Sequence, residues 1–198
     1  MDVSTIAKNA MPSIVSITNQ SVQEVQNYFS MFGYGAQTPQ TEETTSCGSG
    51  IIVSQDADNL YIATNNHVVE GADSLTVAFS DNTTVSAEIK GTDPSTDLAV
   101  IRVALSSIDS DTLNTIKVAT LGNSDDLKAG QAAIAIGNAL GYGQSVTTGV
   151  ISALNREVTV SDSNSNTNYT AELIQTSAAI NPGNSGGALL NAAGEVIG

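Results

Sequence analysis

Gly48–Asn66 reads GSGIIVSQDADNLYIATNN. Two runs rich in Ile, Val, Thr and Tyr, IIVSQ and LYIATN, flank DADN, four residues of turn chemistry. Short β-branched runs separated by Asp, Asn and Gly are the pattern of antiparallel strands joined by tight connections. The texture continues in both directions. SLTVAFS (74–80), TTVSAEIKG (83–91) and LAVIRV (98–103) follow, separated by EGAD, SDN and TDPSTD. A second set comprises KVATLG, QAAIAIGN, QSVTTGVISALNREV, AELIQTS, GGALLN and GEVIG. Helical periodicity is almost absent. The expected fold is all-β, as two small antiparallel barrels, one over about 1–110 and the other over 111–198.

The segments around these strands carry further expectations. Residues 3–10 form a short helix that ends before Pro12, and SIVSIT (13–18) a first strand. Residues 19–46 are polar and read as a long irregular loop, a kind of segment that is usually functional or disordered. That loop holds Tyr28, Phe29, Phe32 and Tyr34, four of the eight aromatics in the chain. They pack either on another subunit or on their own barrel. SSIDSDTLNT (106–115) reads as a linker and SDSNSNTNYT (161–170) as a surface loop.

Composition excludes several functions. Six Lys and Arg against twenty Asp and Glu give a net charge of −14 over 198 residues. Nucleic-acid binding needs a basic footprint, and so does docking on an anionic membrane surface. Apolar residues make up 40% of the chain, enough for a core, so acidity does not mean disorder here. A single cysteine, Cys47, allows no intrachain disulfide, and one Cys with one His is too small a set for a zinc site. No apolar run approaches the roughly 20 residues of a membrane-spanning helix. MDVSTIAKNAMPSIVSI lacks the basic and apolar regions of a signal peptide, so the protein is either cytoplasmic or made with an export segment outside this chain.

Ser185 lies in Gly183-Asn184-Ser185-Gly186-Gly187 and raises the question of chemistry. The letters match G-x-S-x-G, the nucleophile elbow of α/β-hydrolases, but those enzymes place the acid and the histidine after the serine. Only thirteen residues follow Ser185, with no Asp or His among them, and the sole histidine, His67, lies far upstream. The elbow reading fails. The order His, Asp, Ser is instead that of two-barrel serine proteases. His67 follows an apolar strand, and Asp97 directly precedes another in DPSTDLAVIRV. Asp93 is the rival carboxylate, but Pro94 fixes it in a turn, so Asp97 is preferred. Taken singly, each residue has a plainer explanation as a turn or surface residue; the ordered set is what carries weight.

ATNNHVV, DPSTDLAVIRV, LGNSDDLKAGQAAIAIGN, VTTGVISALNRE and IQTSAAINPGNSGGALLNAAGEVIG resemble, in order, the HtrA/Deg family of trypsin-like serine proteases. The resemblance implies two six-stranded barrels of the trypsin type, the second incomplete. It implies Ser185 as nucleophile, His67 as general base and then acid, and Asp97 as the residue orienting His67. The backbone N–H groups of Gly183 and Ser185 would form the oxyanion hole, and Ile180 would line the substrate pocket. Substrates would be unfolded or misfolded polypeptides with small or medium aliphatic residues before the scissile bond. No metal or cofactor is required. The aromatics Tyr28, Phe29, Phe32 and Tyr34 would serve a homotrimer. The site of action would be extracytoplasmic, and a membrane anchor and a PDZ domain would belong only to a longer parent.

Three departures stand out. Ser177 replaces the Asp most common in the family, and Ala139 a usual Pro. The chain stops at Gly198, where the resemblance implies one more strand, which walls the pocket and pairs with substrate. A different class of function follows from that last point: a polypeptide-binding, holdase-like fragment without catalysis.

Overall fold

A computed structural model describes residues 2–25, 40–137, 143–162 and 167–198, with side chains described outside 22–43, 138–142 and 158–171. Six strands close the first barrel: β1 (Ile14–Val25), β2 (Gln40–Gln55), β3 (Asn59–Asn65), β4 (Ser74–Ala78), β5 (Thr84–Asp93) and β6 (Leu98–Ala104). They run in the order β1-β2-β3-β6-β5-β4, and β1 pairs with β4 to complete the circle. Alternation decides which side chains go in. In β3, Leu60, Ile62 and Thr64 are buried while their neighbours are partly exposed. In β6, Ala99, Ile101 and Val103 repeat the pattern. With Val15, Ile17, Ile52, Val77 and Phe79 they fill the interior.

The second sheet has four strands: β7 (Ala132–Gly137), β8 (Ser145–Asp162), β9 (Thr167–Thr176) and β10 (Ala188–Leu190), in the order β10-β7-β8-β9. β7 is central and buried on both faces, which is why AAIAIG is continuously apolar rather than alternating. Ile134 and Ile136 pack with Ala188, Leu190, Ile14, Ile51 and Ala7. Ala133 faces the other way, with Ile151, Leu127 and Ile197. Ala7 belongs to helix α1 (Ser4–Ala10), so this helix joins the core that lies between the two sheets. The fold is all-β, a closed six-stranded barrel beside a curled sheet of four strands.

Several local expectations change. The polar 19–46 segment is paired on both sides. β1 continues to Val25 and β2 starts at Gln40, in unbroken register from Asn19 opposite Ser46 to Val25 opposite Gln40. Backbone pairing needs no apolar face, so the letters hid it. The aromatics Tyr28, Phe29, Phe32 and Tyr34 lie outside the described residues, as does Ala139. The presumed linker at 106–115 contains a 3₁₀ turn (Leu105–Ser107) and helix α3 (Ser110–Thr115). The described parts of the 161–170 segment, 161–162 and 167–170, are strand, with Asp162 opposite Thr167. KVATLG and GEVIG form no full strands. They make isolated bridges, Leu121 to Val196 and Leu190 to Val196. Glu195–Gly198 folds back on β10 through Asn191 N–H to Glu195 C=O at 3.0 Å and Leu189 N–H to Gly198 C=O at 2.8 Å.

Helix α3 is tied to the barrel through Thr112, which is 1% exposed. Its hydroxyl donates to Asp81 Oδ2 at 2.5 Å and lies 3.0 Å from Thr83 Oγ1. The Thr112 bond holds the Asp81 carboxyl below the ordinary carboxylate range against the opposing effect of burial, and the Thr83 backbone N–H adds a lesser lowering. A lowered folded-state pKa stabilises the fold above the unfolded pKa. That stabilisation disappears as pH falls through the folded value. Thr112→Val is therefore expected to cost about 1 kcal/mol at pH 7, a figure kept small because Asp81 is largely solvated. In urea denaturation the difference from the parent should shrink as the pH falls from about 4 toward 2.

Candidate functional site

His67 lies in helix α2 (Asn66–Val69), directly after β3. Asn66, Val68 and Val69 are buried, the two valines in the barrel core, which leaves the His67 side chain between them 55% exposed. Asn19 of β1 secures the end of this helix: its Nδ2 donates to Val68 C=O at 3.1 Å and Glu70 C=O at 3.0 Å. Asp97 sits in the turn between β5 and β6. The register of β3 against β6 places Asn65 opposite Leu98, so the residues just beyond these two strand ends meet.

They meet through four hydrogen bonds. His67 Nδ1 lies 2.8 Å from Asp97 Oδ2, and the His67 backbone N–H donates to Asp97 Oδ1 at 2.9 Å. Asn66 N–H donates to Asp97 C=O at 3.0 Å, and Asn65 Nδ2 donates to the same oxygen at 2.9 Å. Asp97 has φ +52°, a left-handed conformation that Asp tolerates better than most residues. Asp93 does not share this site. Its Oδ1 accepts from Ser95 N–H at 3.0 Å and Ser95 Oγ at 2.6 Å, within its own turn. The Ser95 hydroxyl is the main cause of its lowered pKa.

Ser185 lies between β9 and β10 on two consecutive four-residue turns. Asn184 N–H donates to Asn181 C=O at 3.0 Å, and Gly187 N–H donates to Asn184 C=O at 2.8 Å. The third positions of these turns are Gly183, with φ +93°, and Gly186, with φ +78°. A positive angle at that position is the demand of a type II turn, which glycine meets without strain. Proline at the second position of the first turn, Pro182, suits the same type. Among the described residues, the N–H groups of Gly183 and Ser185 donate no hydrogen bond.

The loop is bonded to the first barrel. Ser49 N–H donates to Ser185 C=O at 2.7 Å, and Ser49 Oγ donates to Gly183 C=O at 2.7 Å. Gly186 N–H donates to Asn65 Oδ1 at 2.6 Å. Asn65 thus touches both the Asp97 turn and the Ser185 turn, two residues before His67. The local letters gave no reason to single out Asn65 or Ser49. Both partners of each bond are visible only once residues 121 and 134 positions apart are brought together.

Beside Ser185 is a cleft of about 300 Å³ that includes Ala135, Ile136, Ile174, Thr176, Ile180 and Leu189. Ile180 is 61% exposed at its edge. Ser177 sits on the neighbouring backbone, donating its N–H to Val150 C=O at 3.1 Å and accepting Val150 N–H on Oγ at 3.0 Å. Cys47 is half-buried, with Sγ 3.9 Å from Thr18 Oγ1. Among the described residues, no group of three or more His, Cys, Asp or Glu side chains converges as a metal site. No described helix is long and apolar enough to cross a membrane.

Residues 48–198 match the family described as trypsin-like peptidase domain. The chain belongs to that family, as a protease domain of the HtrA type. The serine protease Do-like HtrA of Bacillus subtilis (strain 168) is 41% identical over 198 residues, covering 99% of this chain and 41% of the relative. A probable periplasmic serine endoprotease, DegP-like, of Halomonas elongata is 40% identical over 220 residues, covering all of this chain and 43% of the relative. Among solved structures, a variant of the HtrA-type protease AlgW with a decapeptide superposes with a TM-score of 0.80 at 34% identity. That match spans 99% of this HtrA-type chain and 56% of the other. The chain spans less than half the length of these curated relatives.

Gly186 carries the tightest steric demand in the Ser185 loop. A Cβ there would collide with Ser49 C=O and Thr64 Oγ1, and φ +78° is unfavourable for any L side chain. Gly186→Ala is expected to destabilise the fold by roughly 2 kcal/mol or more, lowering Tm by several degrees in a thermal melt.

Proposed function

We propose that this chain carries the active site of a serine endopeptidase that cleaves unfolded polypeptides through an acyl-enzyme, with Ser185 as nucleophile, His67 as base and acid, and Asp97 as orienting carboxylate. The observation that supports it best is the pair of bonds from His67 to the two oxygens of Asp97, at 2.8 Å and 2.9 Å. A carboxylate only accepts hydrogen bonds, so His67 Nδ1 carries a proton, and in the neutral imidazole the Nε2 lone pair is left free. That is the tautomer a general base needs.

In the reaction, His67 Nε2 takes the hydroxyl proton as Ser185 Oγ adds to the substrate carbonyl carbon. The carbonyl oxygen becomes an oxyanion and receives the N–H groups of Gly183 and Ser185. The imidazolium is held by Asp97. His67 then gives its proton to the leaving amine as the C–N bond breaks. Water repeats the sequence on the acyl-enzyme, releasing the acid and restoring Ser185. The oxyanion donors fit this role because neither has another partner among the described residues. No step calls for a metal or cofactor.

The apolar lining of the cleft beside Ser185, with Ile180 at its edge, suits a small or medium aliphatic side chain before the scissile bond. Relatives named as periplasmic endoproteases support an extracytoplasmic place of action. A solved structure of an HtrA-type relative with a decapeptide supports a polypeptide substrate. A homotrimer assembled through Tyr28, Phe29, Phe32 and Tyr34 belongs to the same proposal.

Casein cleavage and fluorophosphonate labelling of the full-length protein test the assignment. Ser185→Ala should abolish both. Asp97→Asn should lower kcat by about 10³–10⁴-fold, through loss of the correct tautomer, whereas Asp93→Asn should leave kcat within about threefold because Asn keeps the acceptor used by Ser95. Labelling at a different serine, or equal losses from the two Asp substitutions, would contradict the roles given.

A further inference from the structure

The Ser185 loop contains three consecutive peptide groups whose hydrogen bonds can be followed one by one. The Gly183–Asn184 group is held at both ends: its C=O accepts from Ser49 Oγ at 2.7 Å and its N–H reaches Asn181 C=O at 3.0 Å. The Ser185–Gly186 group is also held at both ends. Its C=O accepts from Ser49 N–H at 2.7 Å and its N–H donates to Asn65 Oδ1 at 2.6 Å. Between them, the Asn184–Ser185 group has its C=O taken by Gly187 N–H at 2.8 Å. Its N–H, which is that of Ser185, has no partner among the described residues. The only free donor of the three is bracketed by two immobilised peptide planes.

Three of these five bonds come from residues of the other sheet, Ser49 in β2 and Asn65 at the end of β3. Ser49 is fully buried, and its own C=O accepts from Thr64 Oγ1 at 2.7 Å, which fixes it in turn. Asn65 uses the remaining half of its amide on Asp97 C=O at 2.9 Å. One planar group therefore sets the distance between the Asp97 turn and the Ser185 turn.

Building on the proposed catalytic roles, we propose that Ser49 and Asn65 are positioning residues of the first barrel that aim the Ser185 amide and side chain, so that the oxyanion hole of the second sheet is set by hydrogen bonds from the first. Ser49 is buried away from substrate, and Asn65, which borders the cleft beside Ser185, acts through the two turns it bonds. Their effect falls on the transition state, because an N–H aimed at the developing oxyanion counts for more than one aimed at the ground-state carbonyl. A donor moved out of line loses part of the 10²–10³-fold that an oxyanion donor typically supplies.

Ser49→Ala removes the hydroxyl that holds Gly183 C=O, and Asn65→Ala removes both arms of the bridge. In the full-length protein, each is expected to lower kcat per folded molecule by about 10–100-fold, with KM within about threefold. Affinity for a peptide boronate ending in boro-valine, which forms a tetrahedral adduct, should fall by a similar factor. Affinity for the matching product peptide, which makes no oxyanion, should stay within about threefold. A merely structural role would weaken both ligands together or lower only Tm. The inference is overturned if Ser49→Ala, folded by circular dichroism, keeps parental kcat and boronate affinity. It is also overturned if boronate and product peptide weaken equally. Should Asn65→Ala not fold, Ser49→Ala decides. Failure of the parent to react with fluorophosphonate at Ser185 would overturn the catalytic reading and this inference with it. Labelling of the parent with unchanged variants would remove only the inference.

Discussion

The pairing of β3 with β6 is the constraint on which the site depends. Seven residues of β3 are matched one to one with β6, from Asn59 opposite Ala104 to Asn65 opposite Leu98. Sheet register is fixed by which side chains enter the core, and here Leu60, Ile62, Ile101 and Val103 enter it together. A slip of one residue would turn the core residues of the slipping strand outward. The same register sets the ends of the two strands side by side, so the residues just beyond them, His67 at the start of α2 and Asp97 in the β5–β6 turn, meet. The burial of Val68 and Val69 then fixes the helix that presents His67. Core packing and the geometry of the candidate site are one arrangement.

The second sheet contributes the third side chain by a different route. The Ser185 loop takes its shape from two turns whose third residues are glycines with positive φ. It takes its position from bonds to Ser49 and Asn65. Shape is local and can be encoded in a few letters. Position depends on partners more than a hundred residues away. This division explains how the Ser185 loop can be carried on one sheet while its position is set by residues of the other.

The same division governs what could be read from the chain in advance. The β-branched runs LYIATN and LAVIRV, bounded by Asp, Asn and Gly, report strands directly, because that signal is carried by neighbouring residues. Gly183 and Gly186 report turns, and the order of His67, Asp97 and Ser185 separates one catalytic architecture from another. Asp97 could be preferred over Asp93 because Pro94 marks a turn, and Asp93 does spend its carboxylate on Ser95. The extension of β1 and β2 through polar residues was not legible, since Gln20, Ser21 and Thr45 are held by backbone bonds that leave no trace in side-chain type. Helix α3 was hidden for a related reason: only Thr112 is buried in it, and a single buried hydroxyl makes no periodic stripe. Asn65 and Ser49 stood within quoted motifs, yet their partners lie across the fold.

The most direct measurement is a crystal structure of the full-length protein after reaction with a peptide boronate. Boron should be bonded to Ser185 Oγ, with one boronate oxygen about 2.7–3.1 Å from the N–H nitrogens of both Gly183 and Ser185. His67 should remain bonded to Asp97, and Asn65 should still bridge Asp97 and Gly186. An adduct on another residue, or a boronate oxygen turned away from both N–H groups, would contradict the roles proposed for these residues.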